Sequence, residues 1–81
     1  MSNQDMEAAL AEELRRIAPD VDVADIDKDG DLREEFDIDS MDFLNLVTAL
    51  NKRFGIPIPE TDYPRLGSFA EIAAYLAEKT A

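Results

Sequence analysis

Phe43, Leu46, Val47, Leu50 and Phe54 recur every three or four residues, and that spacing leaves the chain little choice of fold. Apolar residues at this interval share one face of a helix, so residues 41–54 are predicted to form an amphipathic helix whose face must be covered. Gly55 supplies a C-terminal stop, and Ile56-Pro57-Ile58-Pro59 cannot continue the helix. Met6, Leu10, Leu14 and Ile17 repeat the pattern, with Ser2 and Asp5 placed to cap a first helix that ends near Pro19. Ser68-Phe69-Ala70-Glu71 reads as a capping box for a last helix that buries Phe69, Ile72, Ala73 and Leu76. Thr61 to Leu66 is expected to add one short helical turn, with Pro64 in its first turn. Strand alternation and internal repeats are absent from the sequence. Three apolar faces in 81 residues predict an all-α bundle of three principal helices and one short one, as a single domain over residues 1–81.

Residues 19–38 form a long connection between the first and second helices. Val21, Val23, Ile26, Leu32, Phe36 and Ile38 are spaced through it, so it is expected to pack across the helices. Lys28-Asp29-Gly30 marks a turn, with glycine in a position to adopt positive φ. This region is also where the charge lies. The chain carries a net −11, and residues 20–42 hold eleven acids against Lys28 and Arg33, which leaves nine of those net charges in about a quarter of the sequence. Such a surface repels nucleic acid and steers partners with basic patches toward the segment.

The residue types that are missing exclude most chemistry. Without cysteine or histidine there is no disulfide, thiolate zinc site, histidine base or Ser-His-Asp triad. No apolar run reaches membrane-spanning length, and residues 1–18 alternate charge with apolar groups, unlike a secretory signal. A cytoplasmic monomer is expected, and Met1 with a helix starting close to it suggests a freestanding protein.

Asp25, Asp27, Asp29 and Asp31 fall at positions one, three, five and seven of a calcium-loop pattern, with Gly30 at six. Such a loop is completed by a bidentate glutamate at position twelve, which here is Phe36, with Glu35 one residue early. These four aspartates are therefore weak metal candidates.

Ser40 stands at the start of the second helix, between Asp39 and Asp42. Two caps compete. With Ser40 as the N-cap, its oxygen is structural and the third helical position is Phe43. With Asp39 as the N-cap, Asp42 takes that position, where an acid suits the helix dipole and can reach back to the cap. The second arrangement is preferred, and it leaves the Ser40 hydroxyl free for solvent.

Asp39-Ser40-Met41-Asp42 resembles the Asp-Ser-Leu modification motif of acyl carrier proteins, with Met41 in place of leucine. The resemblance extends through Leu32-Arg33-Glu34-Glu35-Phe36, the helix to Phe54, Ile58-Pro59, and the last helix through Tyr75 and Leu76. It implies an acyl-carrier-like bundle in which a phosphopantetheinyl transferase moves 4′-phosphopantetheine from coenzyme A onto Ser40. The thiol of that arm would hold acyl groups as thioesters for partner enzymes of fatty-acid, lipid or polyketide-type metabolism, so the protein would be a carrier and not an enzyme. Asp39, Met41, Asp42, Phe43, Glu34, Glu35, Asp37, Asn45 and Thr48 are the implied recognition residues, facing basic patches on loading and accepting enzymes. Ala49, Ala73 and Ala74 are small neighbours beside which an acyl chain would find shelter between helices.

The sequence departs from housekeeping fatty-acid carriers along the second helix. Those are rich in glutamate there, whereas this helix offers Asn45, Thr48, Asn51, Lys52 and Arg53. The departure implies a specialised carrier. Peptidyl carriers usually place glycines before the motif serine, and Ile38-Asp39 fits the acyl type instead. The competing readings are an unmodified acidic interaction module and a calcium-binding loop protein at Asp25–Phe36.

Overall fold

The Ser2 hydroxyl accepts the Asp5 N–H at 3.2 Å, and the Asp5 carboxylate accepts the Ser2 N–H at 3.4 Å. This capping box opens helix α1 (Asn3–Ile17) in a computed structural model that describes residues 2–80. The chain continues through a short helix α2 (Leu32–Glu35), then α3 (Ser40–Phe54) and α4 (Phe69–Lys79). A 3-10 turn at Val23–Asp25 precedes α2, and a 3-10 segment at Glu60–Leu66 precedes α4. No strand occurs among the described residues. The architecture is all-α, as the periodicity predicts.

The expected apolar faces meet in one core. Met6, Leu10 and Leu14 of α1 pack with Leu46, Val47 and Leu50 of α3 and with Phe69, Ile72, Ala73 and Leu76 of α4. Each large side chain buried this way contributes roughly 1.5–3 kcal/mol relative to exposure. Phe43 and Phe54, at the ends of the α3 stripe, are only half-buried against that core. Gly55 closes α3 at φ 64, a left-handed conformation that a Cβ would penalise, and its N–H reaches the Asn51 carbonyl at 2.8 Å. The Asn51 side-chain amide then caps the Ile56 carbonyl.

The connection between α1 and α3 is more ordered than a loop. Leu32, Phe36 and Ile38 are buried, and Val21, Val23 and Ile26 pack against the core as expected. Two main-chain bonds fasten the segment to the start of α4: Leu32 N–H to the Gly67 carbonyl at 2.9 Å, and Ala70 N–H to the Lys28 carbonyl at 3.0 Å. Helix α2 was not legible because four residues show no helical period. Gly30 does sit in the turn, bonded to the Asp27 carbonyl at 3.0 Å, but its φ is not positive. Its role is room. A Cβ there would stand 3.3 Å from the Asp27 carbonyl oxygen and the Glu35 side chain.

Two other details differ from the sequence reading. The 3-10 segment begins at Glu60, so Pro64 lies past its first turn. The donor that Pro64 lacks would have served Thr61, which is exposed to water. At α4 only half of the capping box forms: Ser68 Oγ accepts the Glu71 N–H at 3.1 Å, without a return bond.

Two polar ties hold the outer faces. Arg53 reaches Glu12 at 2.8 Å and the buried Glu13 at 3.5 Å, joining α3 to α1. The hydrogen bond to Glu12 is the main reason its pKa is raised further. On the opposite side Tyr75, 1% exposed, donates its hydroxyl to Asp62 at 2.7 Å. The Arg65 guanidinium, paired with Glu78, lies 4.9 Å from the Tyr75 ring centre. Burial first, and the Asp62 bond second, push the Tyr75 phenol from 10 up to about 12.

The folded state therefore keeps the Tyr75 proton after the unfolded chain has lost it. Its contribution is complete below pH 10 and is lost as pH rises toward 12. Tyr75→Phe is expected to cost about 1–1.5 kcal/mol in urea unfolding at neutral pH. The same variant should show a shallower loss of stability between pH 10 and 12 than the unmodified chain.

Candidate functional site

The site is built by the way α2 ends. Asp31 caps α2 by accepting the N–H groups of Arg33 and Glu34 at 2.9 and 3.2 Å. One turn later the chain reverses. Asp37 adopts φ 52, its N–H bonds the Glu34 carbonyl at 3.3 Å, and the Ile38 N–H bonds the Arg33 carbonyl at 3.0 Å. This pair of bonds around a left-handed residue is a Schellman closure, completed by burial of Phe36 and Ile38 on either side of Asp37. The reversal brings α3 back beside α2.

Asp39 is the N-cap of α3. Its carboxylate accepts the Asp42 N–H at 2.9 Å and its carbonyl accepts the Phe43 N–H at 3.0 Å. Asp42 makes no return bond, so the box is half-formed. Ser40 is the first helical residue and is exposed, with its oxygen left over from capping as predicted. That oxygen is not simply solvated, however: Arg33 Nη2 donates to Ser40 Oγ at 3.0 Å. A guanidinium cannot accept the hydroxyl proton, so this contact gives Ser40 no base. It places a cation beside the oxygen without activating it.

An open groove of about 440 Å³ begins at Ser40 and Arg33 and runs between α3 and the 3-10 segment. Leu32, Phe43, Leu44, Tyr63 and Leu66 give it an apolar floor. Phe43 and Tyr63 meet edge to face across it, with ring centres 5.8 Å apart. Ala49, Ala73 and Ala74 do not line this groove. Ala73 is fully buried, Ala74 is exposed, and Ala49 borders a separate depression with Glu13, Lys52 and Arg53.

The predicted recognition residues divide. Glu34, Asp37, Asp39, Met41, Asn45 and Thr48 are exposed around Ser40 and along the outer face of α3. Met41 is 69% exposed, and Leu44, which the sequence reading passed over, is 45% exposed. Asp42 is half-buried and borders a depression on the α1 side with Ile17 and Phe36. Glu35 turns inward, accepting the Asp27 N–H at 2.7 Å, so its carboxylate braces the turn. Arg53 and Asn51 face internal partners, which leaves Asn45, Thr48 and Lys52 from the polar set of this helix on its outer face.

The calcium-loop pattern comes apart in three dimensions. Asp27 caps the Asp29 N–H at 3.0 Å, and Asp31 caps α2. Asp25 lies in its own 3-10 turn. Among the described residues, Asp25, Asp27, Asp29 and Asp31 do not form a cluster able to hold a metal ion.

Leu44 was within reach of sequence reasoning, since it lies four residues from Ser40 on the same helical face. Arg33, Tyr63 and Leu66 were not. They reach Ser40 or the groove only through the Asp37 reversal and the path of the 3-10 segment.

Unlike Ser2 and Ser68, which cap their helices, Ser40 presents a hydroxyl without cap duty at a helix start, beside a cation and an apolar groove. Residues 5–76 match the family model for the phosphopantetheine attachment site. An acyl carrier protein from Streptomyces coelicolor is 35% identical over 79 residues, covering 93% of this chain and 86% of that protein. One from Helicobacter pylori strain G27 is 25% identical over 75 residues, covering 93% and 90%. One from Acidothermus cellulolyticus is 24% identical over 80 residues, covering 99% and 94%. The chain belongs to the acyl carrier protein family, the class of carriers with a covalent 4′-phosphopantetheine arm.

The position of Ser40 depends on the left-handed Asp37, which tests independently of any cofactor. Asp37→Val should be about 1–2 kcal/mol less stable than Asp37→Asn in urea unfolding, because both remove the charge but only asparagine tolerates this φ. Equal stabilities would mean that the reversal does not need this backbone conformation.

Proposed function

We propose that Ser40 is the attachment residue and that the chain is a monomeric, cytoplasmic single-domain carrier for acyl thioesters. The observation that carries this reading is the exposed hydroxyl at the first position of α3, placed there because Asp39 takes the cap. Attachment forms a bond from Ser40 Oγ to the phosphorus of the pantetheine half of coenzyme A and breaks the pyrophosphate. Adenosine 3′,5′-bisphosphate leaves, and the hydroxyl proton goes to a base of the transferase, since this chain holds no histidine. When bound, the arm supplies the thiol that holds the acyl group.

The residues around Ser40 fit a phosphodiester. With the Asp42 and Phe43 N–H groups committed to Asp39, those of Ser40 and Met41 find no hydrogen-bond partner among the described residues. Arg33 adds a cation. The apolar floor from Phe43 to Leu66 offers the arm and its cargo a surface that excludes water.

Partner choice follows from what surrounds the site. Asp37 and Glu34, with the second carboxylate oxygen of the Asp39 cap, offer acids to basic patches on a transferase and on acyl-handling enzymes. Farther along α3 the outer face is Met41, Leu44, Asn45, Thr48 and Lys52, apolar and neutral before it turns basic. Partners that grip an acidic second helix find little to hold here. The carrier therefore serves a dedicated ligase, synthase or transferase in fatty-acid, lipid or polyketide-type metabolism.

Incubation with coenzyme A, magnesium and a broad-specificity phosphopantetheinyl transferase should raise the intact mass by one phosphopantetheine. Ser40→Ala should abolish that gain while unfolding at nearly the same urea concentration, because Asp39 and not Ser40 supplies the cap. No gain with a transferase proven active on another carrier would refute the assignment. A loaded chain is expected to turn over poorly with fatty-acid elongation enzymes relative to a housekeeping carrier, and comparable rates would remove the specialised reading.

A further inference from the structure

Arg33 stands in an unusual electrostatic position. Between residues 29 and 51 it is the one cationic side chain in the sequence, and nine of the eleven acids of residues 20–42 lie within ten residues of it. Four of the other seven cations find carboxylates: Arg16 with Glu13, Lys28 with Glu7, Arg53 with Glu12 and Glu13, and Arg65 with Glu78. Among the described residues, Arg33 forms no such pair, and its guanidinium is instead bonded to Ser40 Oγ at 3.0 Å.

The backbone explains why. Asp31 is committed to the Arg33 and Glu34 N–H groups, and Glu35 to the Asp27 N–H. Asp39 is committed to the Asp42 N–H. Three nearby acids that would compete for the guanidinium are thus used as caps or braces. The Schellman closure, which runs through the Arg33 carbonyl itself, holds the base of this side chain against the start of α3.

From this geometry we infer that Arg33 is a positioning residue for the attached group: it clamps the phosphodiester on Ser40 and directs the arm along the groove. The inference rests on Ser40 being the attachment residue. A phosphorus bonded to Ser40 Oγ lies one bond beyond the atom Arg33 already contacts, so its unesterified oxygens fall within reach of the same guanidinium. Arginine suits this task because its planar fork donates two parallel hydrogen bonds to phosphate oxygens. Arg33 also lines the groove whose floor is Phe43, Leu44, Tyr63 and Leu66. A phosphate drawn toward Arg33 starts the arm over that floor, whereas an unclamped phosphate leaves it to swing through solvent.

The test compares loaded and unloaded forms of the unmodified chain, Arg33→Lys and Arg33→Gln. Intact mass first establishes loading; absence of loading on the unmodified chain, with a transferase proven active on another carrier, would overturn the Ser40 assignment and the role of Arg33 with it, whereas failure of the comparisons below on loaded protein would overturn the role of Arg33 alone. On loaded protein, the phosphorus NMR shift of the phosphodiester and the melting temperature are then measured at low salt and at high salt. The unmodified chain should gain roughly 2–4 °C more on loading than Arg33→Gln at low salt, the scale of an exposed charge pair in a domain this small. That gap should close at high salt, where such a pair is screened. Its phosphorus shift should move with salt, the shift of Arg33→Gln should not, and Arg33→Lys should recover part of the movement. Because each variant is compared with its own unloaded form, a general loss of fold cancels. Identical phosphorus shifts and identical loading gains in the unmodified chain and Arg33→Gln would overturn the inference.

Discussion

The left-handed turn at Asp37 is the constraint on which the site depends. It ends α2, sends Phe36 and Ile38 into the core on either side of itself, and returns the chain to begin α3 beside the residues it has just left. Ser40 and Arg33 meet because of that return. A straight exit from α2 would carry the serine away from the arginine and away from the groove. The geometry of the functional centre is thus a property of the backbone closure, and the side chains of the centre are passengers on it.

The acidic segment takes on a different character once its bonds are counted. Asp22, Asp27, Asp31 and Asp39 each accept a backbone N–H within two or three residues, and Glu35 braces the turn at Asp27. A carboxylate at a cap satisfies donors that a short helix cannot bond internally. Much of the charge therefore builds the irregular backbone, and only part of it remains available to attract partners. The calcium-loop pattern arises from the same cause, because a run of local caps places aspartates at alternate positions without bringing them together.

How much could be read in the sequence followed the range of the interaction. The three principal helices, their caps at Ser2, Asp39 and Ser68, and the stop at Gly55 are set by residues within one or two turns, so they were legible. The exposure of the Ser40 oxygen was legible for the same reason. Helix α2 was missed because one turn has no period, and Gly30 was misjudged because crowding by Glu35 depends on α2 existing. Arg53 belongs to the polar set that the sequence offers along this helix, but it reaches Glu12 and Glu13 of α1, about forty residues earlier in the chain. The family resemblance pointed to Ser40, while the arginine that touches it and the aromatic floor beside it needed the tertiary path.

The two main-chain bonds that fasten the acidic segment to the start of α4 have a consequence for the order of assembly. Leu32 to Gly67 and Ala70 to Lys28 close a loop that contains the whole of α3. Closing so long a loop costs chain entropy before it returns any contact, whereas the helices themselves nucleate locally. The ring that frames Ser40 therefore closes only when these distant segments meet, after its helices have begun to form locally. A modifying enzyme that reads α2 and the start of α3 together would meet its target only in chains that have finished folding, so the arm would mark a mature copy.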